Sequence, residues 1–592
     1  MIDRRAEARV AFFVLMLHAG FAPVGGQTAE PAAEDPNLSR PQPPAKPSGS
    51  RRAPSQSEAV PMTDGFIPIE DRWRIGFPDW DRYAHGRRRA APYVPGVWYN
   101  PYDQNILKGD YPIIGNATFL NLTVLLDSLG DLRRLPTPSG VSSEDPSGEE
   151  FFGDDEQLAA TSNLLISADL FHGAAGFKPV DWRVRLTPVF NLNYLKSEEL
   201  GVVNIDVTEG TERTDTHIGL QEGFVEVKLF DVSPTYDFVS LRAGIQGFVS
   251  DFRGFVFADN ELGARLFGNW GSNRSSWNLA YFEMIEKDTN SLLNTTDVAG
   301  RDQQVFIANI FRQDFLWPGY NASLSLHVNN DRPSLHFDEN GFLVRPAAVG
   351  TLQPHDIGVT YLGWAGSGHI GRVNLTHALY NVSGEDSENP IAGQAIDVDA
   401  WMGALELSVD RDWLRWRGQI FWASGDGDPL DDRGEGFDAI FDNPLFAGAG
   451  SSFWVRQAIP LTGTKVKLVG ASSLLPSLRS SKEEGQANFV NPGLFLAGGG
   501  LDAEITPKVR GIANLNVMRF EDTSSLELLL FQEGIRRSLG ADLGLGVQWR
   551  PLLNNNVVVA GTVSTLFPGS GFEDIYTGAQ LFSVTASMTV VY

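Results

Sequence analysis

The sequence predicts an all-β fold: a transmembrane antiparallel β-barrel of about 18 strands with short periplasmic turns and long extracellular loops. Three observations predict it. Segments of roughly ten residues alternate between apolar and polar side chains. The connections between these segments are short and long by turns. The chain ends on an alternating strand whose last residue is aromatic, Tyr592.

The alternation is clearest in WRVRLTPVFNLNY, where Trp182, Val184, Leu186, Pro188, Phe190, Leu192 and Tyr194 interleave with Arg183, Arg185, Thr187, Val189, Asn191 and Asn193. Successive side chains on a strand point to opposite faces, so this segment has one apolar face and one polar face. A soluble sandwich would bury the apolar face against a second sheet. An outer-membrane barrel turns it to lipid and lines a lumen with the other. The connections favour the barrel. Short turns are expected at DVSPTYD, GSNR, LWPG, GSGH, DRDW, TPKV and PLLNNN, and long polar loops between the hairpins they close. A sandwich has no reason to keep that asymmetry, whereas a barrel with both termini in the periplasm requires it, together with an even strand count. Closure also removes the sheet edges that lipid could not satisfy.

The ends of the chain agree with that location. Val10–Leu17 (VAFFVLML) follows Arg4, Arg5 and Arg9 and precedes the small residues Val24, Gly25 and Gly26. The run is too short to span a bilayer as a helix and reads as a signal peptide over residues 1–26. Residues 27–61 form a Pro-rich, disordered linker. Residues 62–117 are aromatic and turn-rich, a periplasmic or lumen-entering segment, and residues 118–592 are the barrel. The final strand, with Phe582, Val584, Ala586, Met588, Val590 and Tyr592 on one face, resembles the insertion signal of outer-membrane proteins. That resemblance implies the barrel-assembly machinery as a partner during insertion and the bacterial outer membrane, with its lipid, as the destination.

Composition excludes several functions. A secreted chain with no cysteine has no disulfide and no thiolate metal or redox site. A formal net charge of −26 argues against nucleic-acid binding. Nine histidines are scattered without a nucleophile motif, so the chain is not expected to be an enzyme.

With the apolar faces on lipid, Arg183, Arg185, Arg242, Arg265, Arg372, Arg415, Arg417 and Arg510 turn toward the lumen. Asp127, Asp169, Glu222, Glu226, Asp502, Glu504, Asp542, Lys228 and His327 join them. Guanidinium groups stay charged and fork onto carboxylates, so such a lining concentrates anions. The alternative is that inward Arg and Glu pair across strands and stiffen the wall. The long insertion over residues 425–492 opens with an acidic run. Asp426, Asp428, Asp431 and Asp432 are a calcium-type donor set, although the spacing is not that of an EF-hand, and a solvated acidic loop is the plainer reading. Its apolar stretch SSFWVRQAIPL, Ser451–Leu461, predicts that the insertion folds back, with a lumen constriction as one outcome.

The stretches SDFRGFVFADNELGARLFGNW, LAYFEMIEKDTNS and FWASGDGD, with the terminal aromatic strand and the arginine-studded inner face, resemble outer-membrane porins and, among them, the alginate-export family. The resemblance spans most of residues 118–592. It implies a conduit for anionic solutes or an acidic polysaccharide. A non-conducting structural or surface-binding barrel, acting through its long acidic loops, is the competing expectation.

Overall fold

The computed structural model describes residues 98–592 apart from 101–104, 116, 145–152, 174–177 and 236. The signal peptide, the linker and most of the segment 62–117 lie outside the described residues. Strands follow one another as β1 (Thr118–Arg134), β2 (Glu156–His172), β3 (Trp182–Ser197), β4 (Glu212–Asp231), β5 (Phe238–Val249) and β6 (Ala258–Trp270). They continue as β7 (Ser275–Ile285), β8 (Gly300–Arg312), β9 (Tyr320–Asp331), β10 (Ile357–Ile370), β11 (Val373–Asn389) and β12 (Gln394–Arg411). The last six are β13 (Leu414–Ala423), β14 (Leu494–Thr506), β15 (Val509–Arg519), β16 (Ser538–Trp549), β17 (Val557–Pro568) and β18 (Leu581–Val591). Of the 19 strands of the main sheet, Arg433–Gly434 is a two-residue side pairing on β12, which leaves 18 in the wall. Each pairs antiparallel with its neighbour, and β18 returns to β1 through Leu125↔Val591 to Arg134↔Phe582. The barrel is closed.

The faces separate as alternation demands. On β3, Val184, Leu186, Phe190 and Leu192 point outward and are exposed, while Thr187, Val189, Asn191 and Asn193 are buried within. Outward residues elsewhere form the same apolar belt: Leu186, Leu362 and Val517 are 52%, 62% and 58% exposed. A closed antiparallel barrel with such a belt is the architecture of bacterial outer-membrane proteins. The short turns and both strand termini lie at one end, which is therefore the periplasmic end.

The strands run from 10 to 20 residues, longer than the 9–11 or so that a tilted strand needs to cross hydrocarbon. Their distal parts stand in water, and there the polarity of the wall inverts. On β11 and β12, Ser383, Glu385, Asp397 and Asp399 face outward. Ile396, Val398, Ala400 and Met402 are buried on the inner face. They pack against the 424–493 connection, which turns back into the barrel. Phe437, Phe441, Phe453, Trp454, Leu468 and Phe489 form its core, and Trp454 Nε1 donates to the Leu474 carbonyl at 2.9 Å.

One turn falls later than its sequence suggests. GSGH stays in strand, and the chain reverses at Gly371–Arg372, with Gly371 at φ +60°. Gly366 is held in the ladder by a tight packing: a Cβ there would stand 2.4 Å from both Tyr320 Oη and His377 Nε2. Those two atoms are themselves hydrogen-bonded at 2.7 Å. Arg372 is thus an exposed turn residue and not part of the lumen wall, a correction to its expected place.

Replacing Leu186 by Arg puts a charge on the lipid face. It is expected to destabilise the barrel by about 2–4 kcal/mol if the site is at mid-bilayer, read as a lowered urea midpoint in lipid vesicles. An unchanged midpoint would contradict the assignment of faces.

Candidate functional site: the arginine band and the inserted segment

Strand register builds the band. Phe171, Arg183, Glu226, Arg242 and Arg265 lie at one height on β2, β3, β4, β5 and β6. Arg183 Nε is 3.3 Å from Asp169 Oδ1, and Arg185 Nη2 is 2.9 Å from Oδ2 of the same carboxylate. Arg185 also reaches Glu222 at 3.3 Å, and Thr187 Oγ1 donates to Glu222 at 3.1 Å. Arg242 grips Glu226 through Nε and Nη2 at 3.0 and 2.7 Å and stacks over Phe224 at 4.3 Å. The Arg265 guanidinium sits 4.5 Å from the Phe267 ring centre. Four guanidiniums, of Arg183, Arg185, Arg242 and Arg265, stand with three carboxylates, of Asp169, Glu222 and Glu226, on one stretch of the wall.

Across the lumen, Asp502 accepts from Arg417 at 3.0 Å and from Arg510 at 2.8 Å. Arg415 is set apart. It shares the face of Arg417 but pairs with Asp410 beside the β12–β13 turn, and its side chain is 46% exposed. It belongs to the periplasmic rim. Arg510 also lies 3.6 Å from Glu504, so cross-strand pairing of inward Arg and acid is widespread and holds these guanidiniums in place.

The inserted segment is tied to the wall around most of its circumference. Gln457 Nε2 donates to Asp131 on β1 at 2.9 Å. The Ala258 N–H of β6 donates to the Phe441 carbonyl at 2.8 Å. Arg301 on β8 donates to the Gly485 carbonyl at 2.8 Å, and Tyr361 on β10 to the Asp438 carbonyl at 3.0 Å. Asn514 and Asn516 of β15 both donate to the Ala447 carbonyl at 2.9 Å. On β16, Asp542 accepts from the Phe453 N–H at 2.9 Å and from Ser452 Oγ. Inside the segment, Asp438 takes Arg479 at 2.6 Å and the Asn488 N–H at 2.9 Å. A buried pair with its remaining lone pairs satisfied in this way is tolerable, but removing either partner leaves a buried charge.

These anchors were not foreseeable. Arg301 and Arg479 carry no local sign of their partners, because Arg301 meets a carbonyl 184 positions away. His327 faces inward, fully buried, with the rings of Tyr361 and Tyr380 at 6.4 and 6.1 Å.

The four acids at the head of the insertion do not converge. Asp426 accepts backbone N–H groups from Asp428 and Glu435, and Asp431 accepts that of Arg433. The run is thus a series of side-chain-capped turns. Among the described residues, the three carboxylates that gather within 4.8 Å of one another are those of Asp215, Asp288 and Glu339. The expectation of a calcium site at Asp426, Asp428, Asp431 and Asp432 is corrected accordingly: the four do not form a cluster, and the side-chain oxygens of Asp426, Asp428 and Asp431 accept turn N–H groups.

No family model matches the sequence, and no curated protein matches it. Among solved structures it is similar to the Pseudomonas aeruginosa protein OccK9 (OpdG), 9% identical over 80% of this chain and 98% of that one, with a TM-score of 0.44. Acinetobacter baumannii OccAB3 gives 9%, 80%, 99% and 0.44. Pseudomonas aeruginosa OccK2 (OpdF), solved in complex with glucuronate, gives 10%, 80%, 97% and 0.41. At these values nothing about a solute transfers to this chain. The chain's own strand pairing and apolar belt are those of a closed 18-stranded transmembrane barrel of the bacterial outer membrane.

Two carboxyls of the inserted segment bear on its seating. Burial pushes Glu484 up to about 7 from an ordinary 4.5, against the hydrogen bond from Thr289 Oγ1. Burial likewise pushes Asp426 up to about 6 from 3.8, against the N–H of Glu435. The seated segment then holds protons at a pH where a released segment has lost them. Seating is strongest below the ordinary carboxylate range and weakens as pH rises through about 4 to 7. Protease nicking of the segment in intact barrels is expected to be faster at pH 8 than at pH 5, corrected for protease activity on an unfolded substrate. Glu484→Gln should flatten much of that difference, and an unflattened profile would assign it elsewhere.

Proposed function

We propose that the protein is an outer-membrane channel for small anionic solutes, selecting them at the arginine band in a lumen narrowed by the 424–493 segment. The observation that carries this reading is the band itself. Four guanidiniums share one wall, each oriented by a carboxylate or an aromatic ring. A planar carboxylate on a sugar acid or short organic acid can exchange onto such forks one hydrogen-bond pair at a time. Weak, multiple contacts of this kind suit passage better than one deep site.

An acidic polysaccharide, the cargo implied by the alginate-export resemblance, presents the same carboxylate chemistry in a longer form. Its passage requires the inserted segment to leave the lumen, so the small-solute reading is favoured. The non-conducting barrel is the second reading, and the buried core of the inserted segment is what favours it.

Reversal potentials across a planar bilayer under a KCl gradient test both. Anion preference is expected in the wild type. Arg183→Ala with Arg185→Ala should move the reversal potential toward the cation side, and Asp169→Asn should move it the other way. Glucuronate, the ligand in the OccK2 structure, serves as the probe anion for block of the KCl current. A barrel that stays silent even after deletion of residues 425–490 would sink the channel reading and leave the structural one.

A further inference from the structure

The lipid-facing surface over β6–β10 carries a depression of about 560 Å³. Its floor is Ala308, an outward residue of β8 flanked along the strand by the exposed Phe306 and Ile310. At the same height stand Leu279 on β7 and Leu326 on β9. One small side chain among large ones opens the hollow. Toward the periplasmic end, Trp270 and Trp277 bound it. The Trp277 indole lies over Gly268, with Nε1 3.3 Å from where a Cβ would stand.

Two cations stand at that end. Arg312 is the outward residue two places beyond Ile310, and its Nη1 donates to Ser275 Oγ at 2.7 Å. Arg274 lies in the adjoining turn, and its carbonyl accepts the Gln313 N–H at 2.8 Å. Both are exposed, and neither forms an ion pair among the described residues. The acids of the same rim are turned to backbone. Asp237 accepts the N–H groups of Ser272 and Asn273 at 3.0 and 2.8 Å, and Asp314 that of Gly319 at 2.8 Å.

We propose that this groove binds an anionic phospholipid of the periplasmic leaflet, with one acyl chain over Ala308 and the phosphate on Arg312 and Arg274. Hydrocarbon is as apolar as the groove, so chain burial alone selects nothing there and shape fit is what the hollow supplies. Selection comes from the headgroup, where guanidinium meets phosphate in charge-assisted hydrogen bonds. The order of features along the wall matches the order of a lipid from tail to head: apolar hollow, tryptophan pair, cation pair. A second copy of the chain fits less well. A two-fold contact centred on the groove would set each arginine pair against its own mate. The inference depends on the barrel's place in the membrane and not on what the lumen conducts.

The test is native mass spectrometry of the full-length mature protein released from nanodiscs holding equal phosphatidylglycerol and phosphatidylethanolamine. Retained phosphatidylglycerol is expected to exceed phosphatidylethanolamine by about fivefold or more, the ratio one guanidinium near an anionic surface supplies. Arg274→Gln with Arg312→Gln should bring the ratio to parity. Ala308→Phe, on the lipid face and outside the lumen, should remove one retained lipid while the barrel keeps its heat-modifiable gel mobility. Equal retention by the wild type would overturn the proposal without any variant having to fold. So would a preference that survives the double arginine change, or a dimer that Ala308→Phe dissociates.

Discussion

The whole molecule depends on the closing of one hydrogen-bond ladder. In hydrocarbon an unpaired backbone N–H or C=O costs several kcal/mol, so no sheet edge can face lipid. The pairing of β1 with β18 over Leu125–Arg134 removes the last edge. Closure then dictates the rest. A closed wall has one outer and one inner surface, and the pleat sends consecutive side chains to opposite sides. Every strand must therefore satisfy two solvents at once.

The two solvents also change along the barrel axis. Within the belt the outside is hydrocarbon and the inside polar. Beyond it the outside is water, as Asp397 and Asp399 show, and Ile396, Val398 and Met402 turn apolar groups inward. Those groups need a partner, and the 424–493 segment provides one. The hydrophobic effect drives that contact, because both surfaces would otherwise meet water in the lumen, at about 25 cal/mol per Å² of apolar area removed. No comparable force draws anything onto the lipid face. The inserted segment is in effect a small water-excluded core built inside a membrane protein. Its polar stitches to Asp131, Asp542 and Tyr361 fix its orientation.

How much of this was legible follows from range. Alternation is a property of adjacent residues, so Trp182–Tyr194 revealed its two faces, and the even strand count followed from connection lengths. Inward placement of Arg183, Arg185 and Arg242 could be read from their own strands. Their partners could not, because register joins Arg242 to Glu226 across a hairpin whose bulge lies between Lys228 and Phe230. The rule that the apolar face meets lipid failed on distal β12, where period and hydrophobicity are unchanged but the solvent outside is water. Arg372 failed for a different reason. Glycine and serine in GSGH look like a turn, yet Gly366 is there to let Tyr320 and His377 meet across the ladder.

The pairing of the band bears on what a channel here could do. An unpaired arginine ring in a low-dielectric lumen would hold an anion strongly and slow its release. With Asp169 shared between Arg183 and Arg185, an incoming carboxylate displaces part of an existing interaction instead of meeting a bare charge. The well is shallower than a bare guanidinium would make it. Conduction needs binding that is favourable enough to enter and weak enough to leave. Cross-strand carboxylates supply that moderation and, by the same contacts, stiffen the wall, so the structural and the selective readings of these residues describe one arrangement.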